Sequence, residues 1–174
     1  IEGAYPAWFV EGFAEYYMTA EIDVEKQVVS LGSPSGNRAA WIMNESWIAL
    51  PDLISKRQSE IRNETDRATY YPVAWLLTHW FLSDPVRKQQ LDAYLRDVGK
   101  GADSVVAMER ATGLSMTELR AALRRYTTGG RLNGTRLGGP FRAISVEVTR
   151  LPPSADALLL LNQRLKVGTD EADR

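Results

Sequence analysis

The stretch Tyr70-Tyr71-Pro72-Val73-Ala74-Trp75-Leu76-Leu77-Thr78-His79-Trp80-Phe81-Leu82 decides the fold. It is apolar on nearly every side, whereas a surface helix needs only one apolar stripe. The pattern predicts a central helix buried all round, with other helices laid against it. It falls short of the ~18 apolar residues that span a membrane, and no other run comes closer.

Downstream, Asp84-Pro85 marks the next helix, an N-cap followed by proline at the first helical position. Val86, Leu91, Tyr94, Leu95 and Val98 form its apolar side, and Gly99-Lys100-Gly101 ends it. Residues 103–111 and 115–127 read as a helix pair broken at Gly113. Ser115 and Glu118 have capping-box spacing. Gly129 to Pro140 is glycine-rich and reads as a linker. Residues 141–149 alternate and predict a strand. After Pro152-Pro153, Ser154 begins a last helix with Ala157, Leu158, Leu161 and Leu165 on one face. Such a helix resembles the first half-unit of a helical (TPR-like) repeat array.

Upstream, Asn63 to Thr69 is polar and reads as irregular. Residues 46–60 read as a loop and a short helix after Pro51. Residues 24–31 are β-prone, GSPSGN at 32–37 is a dense turn signal, and 38–43 is expected to return as the second strand of a hairpin. Residues 6–20 repeat Phe9, Phe13, Tyr16, Tyr17 and Ala20 at three- and four-residue steps, as an amphipathic helix does.

The 174 residues suit one domain with an appendage, and 44% apolar with 25% charged residues is ordinary globular composition. With 21 basic against 22 acidic residues, no dedicated nucleic-acid binder is indicated. The basic cluster Arg120, Arg124, Arg125 and Arg131 has no interleaved aromatic platform and reads as a solvated helix face. Cysteine is absent, which excludes thiol nucleophiles, disulfides and Cys-ligated metals. The single histidine, His79, cannot by itself build a His-based metal motif, which needs at least two. Among Leu76, Leu77 and Trp80 it reads as a core residue. The chain starts without Met or a signal-peptide pattern and ends in a polar tail, so it is expected to be a piece of a longer protein.

Glu11 and Glu15, four residues apart, project from one helical face amid Trp8, Phe9, Phe13, Tyr16 and Tyr17. They are either solvated on the helix's polar stripe or buried with partners, because an unpartnered buried carboxylate costs several kcal/mol. Gly12 costs the helix roughly 1 kcal/mol against alanine. That cost points to close approach by another backbone or a ligand.

The sequence Pro6-Ala7-Trp8-Phe9-Val10-Glu11-Gly12-Phe13-Ala14-Glu15-Tyr16 resembles the glutamate helix of gluzincin metallopeptidases, especially the bacterial peptidase-MA-like domains of unknown function. In that family an upstream H-E-x-x-H helix supplies two zinc-binding histidines and the water-activating glutamate, and the W-x-x-E-G-x-A-E-Y helix supplies the third ligand. The resemblance makes Glu11 the zinc ligand and gives Glu15 a supporting role beside it. Tyr71-x-x-x-Trp75-x-x-x-His79 is similar to the family's next helix, with Pro72, Val73 and Ala74 at places often small or polar in relatives. It makes Tyr71 a candidate oxyanion stabiliser, with Tyr70 an equal geometric candidate and an aromatic core role the alternative. Ala93-Tyr94-Leu95, Gly101-Ala102-Asp103 and Gly113-Leu114-Ser115 with Glu118 and Leu119 fit the family's helical tail, so the likeness covers about residues 5–127.

The resemblance implies a mainly α, zincin-like C-terminal helical subdomain over 1–128 with a small β-hairpin. A linker at 129–140 and a strand plus one helix at 141–174 follow. The H-E-x-x-H helix is not in this sequence. The expected partners are therefore the missing N-terminal part of the domain and, for the parent, a peptide or protein substrate. Zinc is expected in the parent and not in this piece, which should be catalytically silent. The rival expectation is a non-catalytic helical scaffold or protein-interaction module. No nucleic acid and no membrane span are expected, relatives are often exported, and helix 154–166 is a candidate homodimer contact.

Overall fold

A computed structural model describes residues 5–44, 46–129, 132–141, 145–152 and 154–167. Among them the protein is mainly helical, with one small antiparallel sheet. The chain divides into two compact units, one ending at Pro140 and one starting at Phe141.

The first unit is organised around α4 (Glu64–Leu82). Its side chains from Val73 to Leu77 and at Phe81 are essentially inaccessible, as the all-round apolar pattern requires. The helix starts a turn and a half earlier than the sequence reading placed it. Asn63 accepts a hydrogen bond from the Asp66 backbone N–H, so the polar stretch 64–69 forms the helix's first turns rather than an irregular segment. These turns are polar because they stand toward solvent, apart from Thr69, whose hydroxyl accepts from the Ile48 N–H.

Helix α1 (Ala7–Met18) makes the most extensive contact with α4. Trp8, Gly12 and Tyr16, one helical turn apart, form its buried stripe. A Cβ at Gly12 would sit against the Ala74 carbonyl oxygen and Thr78 Oγ1, well inside van der Waals contact. The glycine therefore gains the backbone approach that its helix cost implied. Trp8 Nε1 donates to Tyr94 OH at 2.9 Å, tying α1 to α5 (Pro85–Gly99). Asp84 caps α5 through the Val86 and Arg87 N–H groups. Helices α6 (Ser104–Thr112) and α7 (Met116–Thr128) follow, with Gly113 between them and the Ser115/Glu118 capping box present. Leu119, Leu123 and Tyr126 of α7 enter the core.

The sheet differs from the expected 24–43 hairpin. Strands β1 (Glu21–Asp23) and β2 (Val28–Leu31) pair antiparallel, and residues 36–44 form helix α2 (Gly36–Asn44), not a returning strand. Helix spacing suits that segment, because it places Ile42 in the core and Arg38 one turn earlier beside α1. The second partner of β2 is β3 (Thr135–Gly138), which comes from the glycine-rich stretch read as a linker. Gly32 leaves β2 at φ 73°, a left-handed conformation, directly against the Tyr16 ring, where a side chain could not fit. Helix α3 (Leu50–Ser55) and a 3-10 turn at Gln58–Glu60 complete the unit.

In the second unit the expected strand at 141–149 is not formed over the described residues 145–149, while residues 142–144 lie outside the described ones. Helix α8 (Ser154–Val167) is present, with Leu158, Leu159, Leu160 and Leu161 more than half exposed. Among the described residues no helix is long and apolar enough to cross a membrane.

Candidate functional site

The site forms where the middle of α1 meets the N-terminal part of α4. Glu11 lies one residue before the Gly12 contact, so the close approach of the two helices holds its position relative to α4. Glu11, Tyr70 and Tyr71 line one cavity of about 680 Å³, whose far side comes from the end of α3 and the 3-10 turn. Glu11 is half-buried, and its carboxylate has no hydrogen-bond or ion-pair partner among the described residues.

Its neighbour in the motif has a different environment. Glu15 receives two hydrogen bonds from Arg38 of α2, Nε to Oε2 at 2.9 Å and Nη2 to Oε1 at 2.6 Å. This is a two-point fork of the kind that fixes both planar groups. The Arg38 guanidinium also lies 5.9 Å from the Tyr71 ring centre. Glu15 thus anchors α2 to α1 beside Tyr71. Arg38 was not singled out from the sequence. It is 23 residues from Glu15, and no local pattern announces such a pair once the segment is taken for a strand.

The two tyrosines are also distinguished. Tyr70 is fully buried and donates its hydroxyl to the Lys56 carbonyl at 2.9 Å. Burial, then the charge of Glu11, pushes its phenol well above the usual range. Its hydroxyl is engaged in holding the end of α3. Tyr71 is part-buried, and its hydroxyl has no hydrogen-bond partner among the described residues. Burial raises its pKa, Glu11 and Glu15 add to the effect, and Arg38 opposes it. The Tyr71 hydroxyl therefore keeps its proton and remains a hydrogen-bond donor, on a residue that lines the same cavity as Glu11.

His79 is a core residue, 2% exposed. A carbonyl can only accept, so Nε2 carries the proton and donates to Asn133 O at 3.3 Å. Nδ1 then accepts from Tyr126 OH at 2.8 Å. Both ring nitrogens are engaged in the neutral form, and burial lowers the pKa despite the Asn133 hydrogen bond. Among the described residues no group of three His, Cys, Asp or Glu side chains could hold a metal. Of the two glutamates of the motif, Glu11 is the one that lines a cavity.

The basic cluster departs from the solvated face expected of it. Arg120 donates to the Ile48 and Trp47 carbonyls, and Arg124 donates to the Ile42 carbonyl. The Arg124 guanidinium lies 3.6 Å from the Trp47 ring centre. These two arginines clamp the α2–α3 connection onto α7, with Trp47 supplying from far away in sequence the aromatic surface that the cluster itself lacks. Arg125 remains exposed, and Arg131 lies outside the described residues.

No family model, curated protein or solved structure matches this chain.

Proposed function

We propose that this chain supplies the glutamate half of a gluzincin-like zinc peptidase domain, with peptide-bond hydrolysis as the reaction of the assembled domain. The observation that supports it most is that Glu11 and Tyr71, whose carboxylate and protonated hydroxyl have no hydrogen-bond partner among the described residues, line one cavity of about 680 Å³. Structural residues usually have their polar groups satisfied, as Glu15, Tyr70 and His79 do here. Glu11 is the residue to offer a carboxylate oxygen to zinc, and Tyr71 the residue to donate to an oxyanion at the reacting carbonyl. Glu15, through Arg38, fixes the wall on which Tyr71 stands. Zinc, when bound, would supply Lewis-acid polarisation and an acidified water. The two imidazole donors must come from residues outside this sequence, since His79 is engaged on both nitrogens. The chain alone is then catalytically silent. Purified chain assayed with a peptide library should show no hydrolysis sensitive to chelation, and the full-length protein should show it and lose it in Glu11→Gln.

A second reading is a non-catalytic helical scaffold. The exposed aromatic ladder on α1 favours it. Phe9–Phe13 ring centres lie 5.6 Å apart and Phe13–Tyr17 centres 4.6 Å apart, with Phe13 and Tyr17 more than 40% exposed. Full-length protein that folds without zinc and cleaves no peptide would support this reading over the first.

A further inference from the structure

The other end of α4 carries a second concavity, independent of Glu11 and of the peptidase reading. It measures about 360 Å³ and lies between the end of α4, the first turn of α5 and the last turns of α7. Trp80, Arg87, Arg125 and Tyr126 line it. The Arg87 guanidinium is held between two rings, 4.7 Å from the Trp80 centre and 5.5 Å from the Tyr126 centre. Cation–π contact with two rings restricts the group and leaves its N–H donors to be satisfied elsewhere.

That satisfaction is incomplete. Nη2 donates to Ser83 Oγ at 3.1 Å. Nε is buried without a hydrogen-bond acceptor among the described residues. The Asp84 carboxylate is 4.0 Å from Nε, beyond hydrogen-bond distance, and the same oxygen already accepts the Val86 and Arg87 backbone N–H groups. Arg125, on the facing helix, is exposed and has no ion-pair partner among the described residues. Two guanidinium groups therefore share one small hollow with no acidic lining residue among the described ones, one held against two rings and the other exposed.

The geometry points to a phosphate-binding site, in which the Arg87 guanidinium, held against two rings, supplies one cation and Arg125 the second. Phosphate matches the planar fork of arginine with two oxygens at once and carries enough charge to engage two such forks. The flanking Trp80 ring suits a phosphate carried on a flat organic group as well as the free ion.

Titration with inorganic phosphate at constant ionic strength, followed by the ¹H–¹⁵N signals of the arginine Nε groups, tests the site. The expected result is a saturable shift of the Arg87 and Arg125 signals in the low-millimolar range or tighter, with acetate giving none. Arg125→Gln, an exposed position, should fold with unchanged melting temperature in phosphate-free buffer and weaken binding at least tenfold. Phenyl phosphate beside inorganic phosphate separates the two sources of the group: tighter binding of the ester indicates a phosphate on a larger molecule, and equal binding indicates the free ion. A linear, non-saturating response, or saturable binding that Arg125→Gln leaves intact, would overturn the proposal.

Discussion

The two ends of α4 use similar residue types to opposite ends. At the His79 end, a titratable ring is buried, neutral and bonded at both nitrogens. At the Tyr71 end, a carboxylate and a phenol face a cavity with neither hydrogen-bonded to the described protein. Between them the α1 backbone packs directly on α4 at Gly12, which sets where Glu11 stands along α4. A polar group that the fold has already satisfied is poor evidence of chemistry. One that the fold leaves open toward a cavity is better evidence, because no structural bond accounts for it.

The largest effect should come from breaking the contact that holds both ends in register. Gly12→Ala pushes a methyl into the Ala74 backbone carbonyl, which cannot move without moving α4, and should cost about 3 kcal/mol by urea denaturation. A cost below about 1 kcal/mol would mean that α1 is not seated on α4 as described.

His79→Leu removes two hydrogen bonds and should cost about 2 kcal/mol. It should also remove a pH dependence. Burial lowers the imidazole pKa from its ordinary 6.5, so below that value the unfolded chain takes up a proton that the folded chain resists. Stability is therefore full above about 6.5 and falls as the pH drops toward the lowered folded value, below which it levels off. Urea melts from about pH 7 to about pH 5 should show this slope in the wild type and a smaller one in His79→Leu.

Thr78 gives a test of opposite sign. Its buried Oγ1 has no hydrogen-bond partner among the described residues and abuts Gly12. Thr78→Val keeps the shape, removes the orphaned hydroxyl and should stabilise by about 1 kcal/mol in the same assay. The smallest effect should be at the open end. Glu11→Gln should change stability by less than about 0.5 kcal/mol, because no bond of the described structure is lost. A large destabilisation there would make Glu11 a structural residue and erase the contrast between the two ends.

The helical frame was largely legible from sequence because its signals are local. The Tyr70–Leu82 run is too uniformly apolar for anything but a buried helix. Asp84-Pro85 and Ser115 with Glu118 mark helix starts through contacts within one turn. The sheet was not legible, because its third strand pairs Val28 with Gly138 across most of the first unit and sits in a glycine-rich stretch that looks like a linker. Residues 38–43 form helix rather than the expected strand for a related reason. The turn signal before them suggested a hairpin, while tertiary contacts of Arg38 and Ile42 favour helix. At the site, sequence singled out Glu11, Glu15 and Tyr71. It could not tell which carboxylate is open, because that depends on Arg38, which reaches Glu15 only once α2 is folded against α1. The clamp of Arg120 and Arg124 on Trp47 was hidden by the same separation.

The most direct measurement is the zinc content of the folded full-length protein beside its Glu11→Ala variant. One zinc per chain in the wild type, lost in a variant of unchanged fold, is the expected result. Either a folded wild type without zinc or a Glu11→Ala variant that retains it would contradict the role given to Glu11.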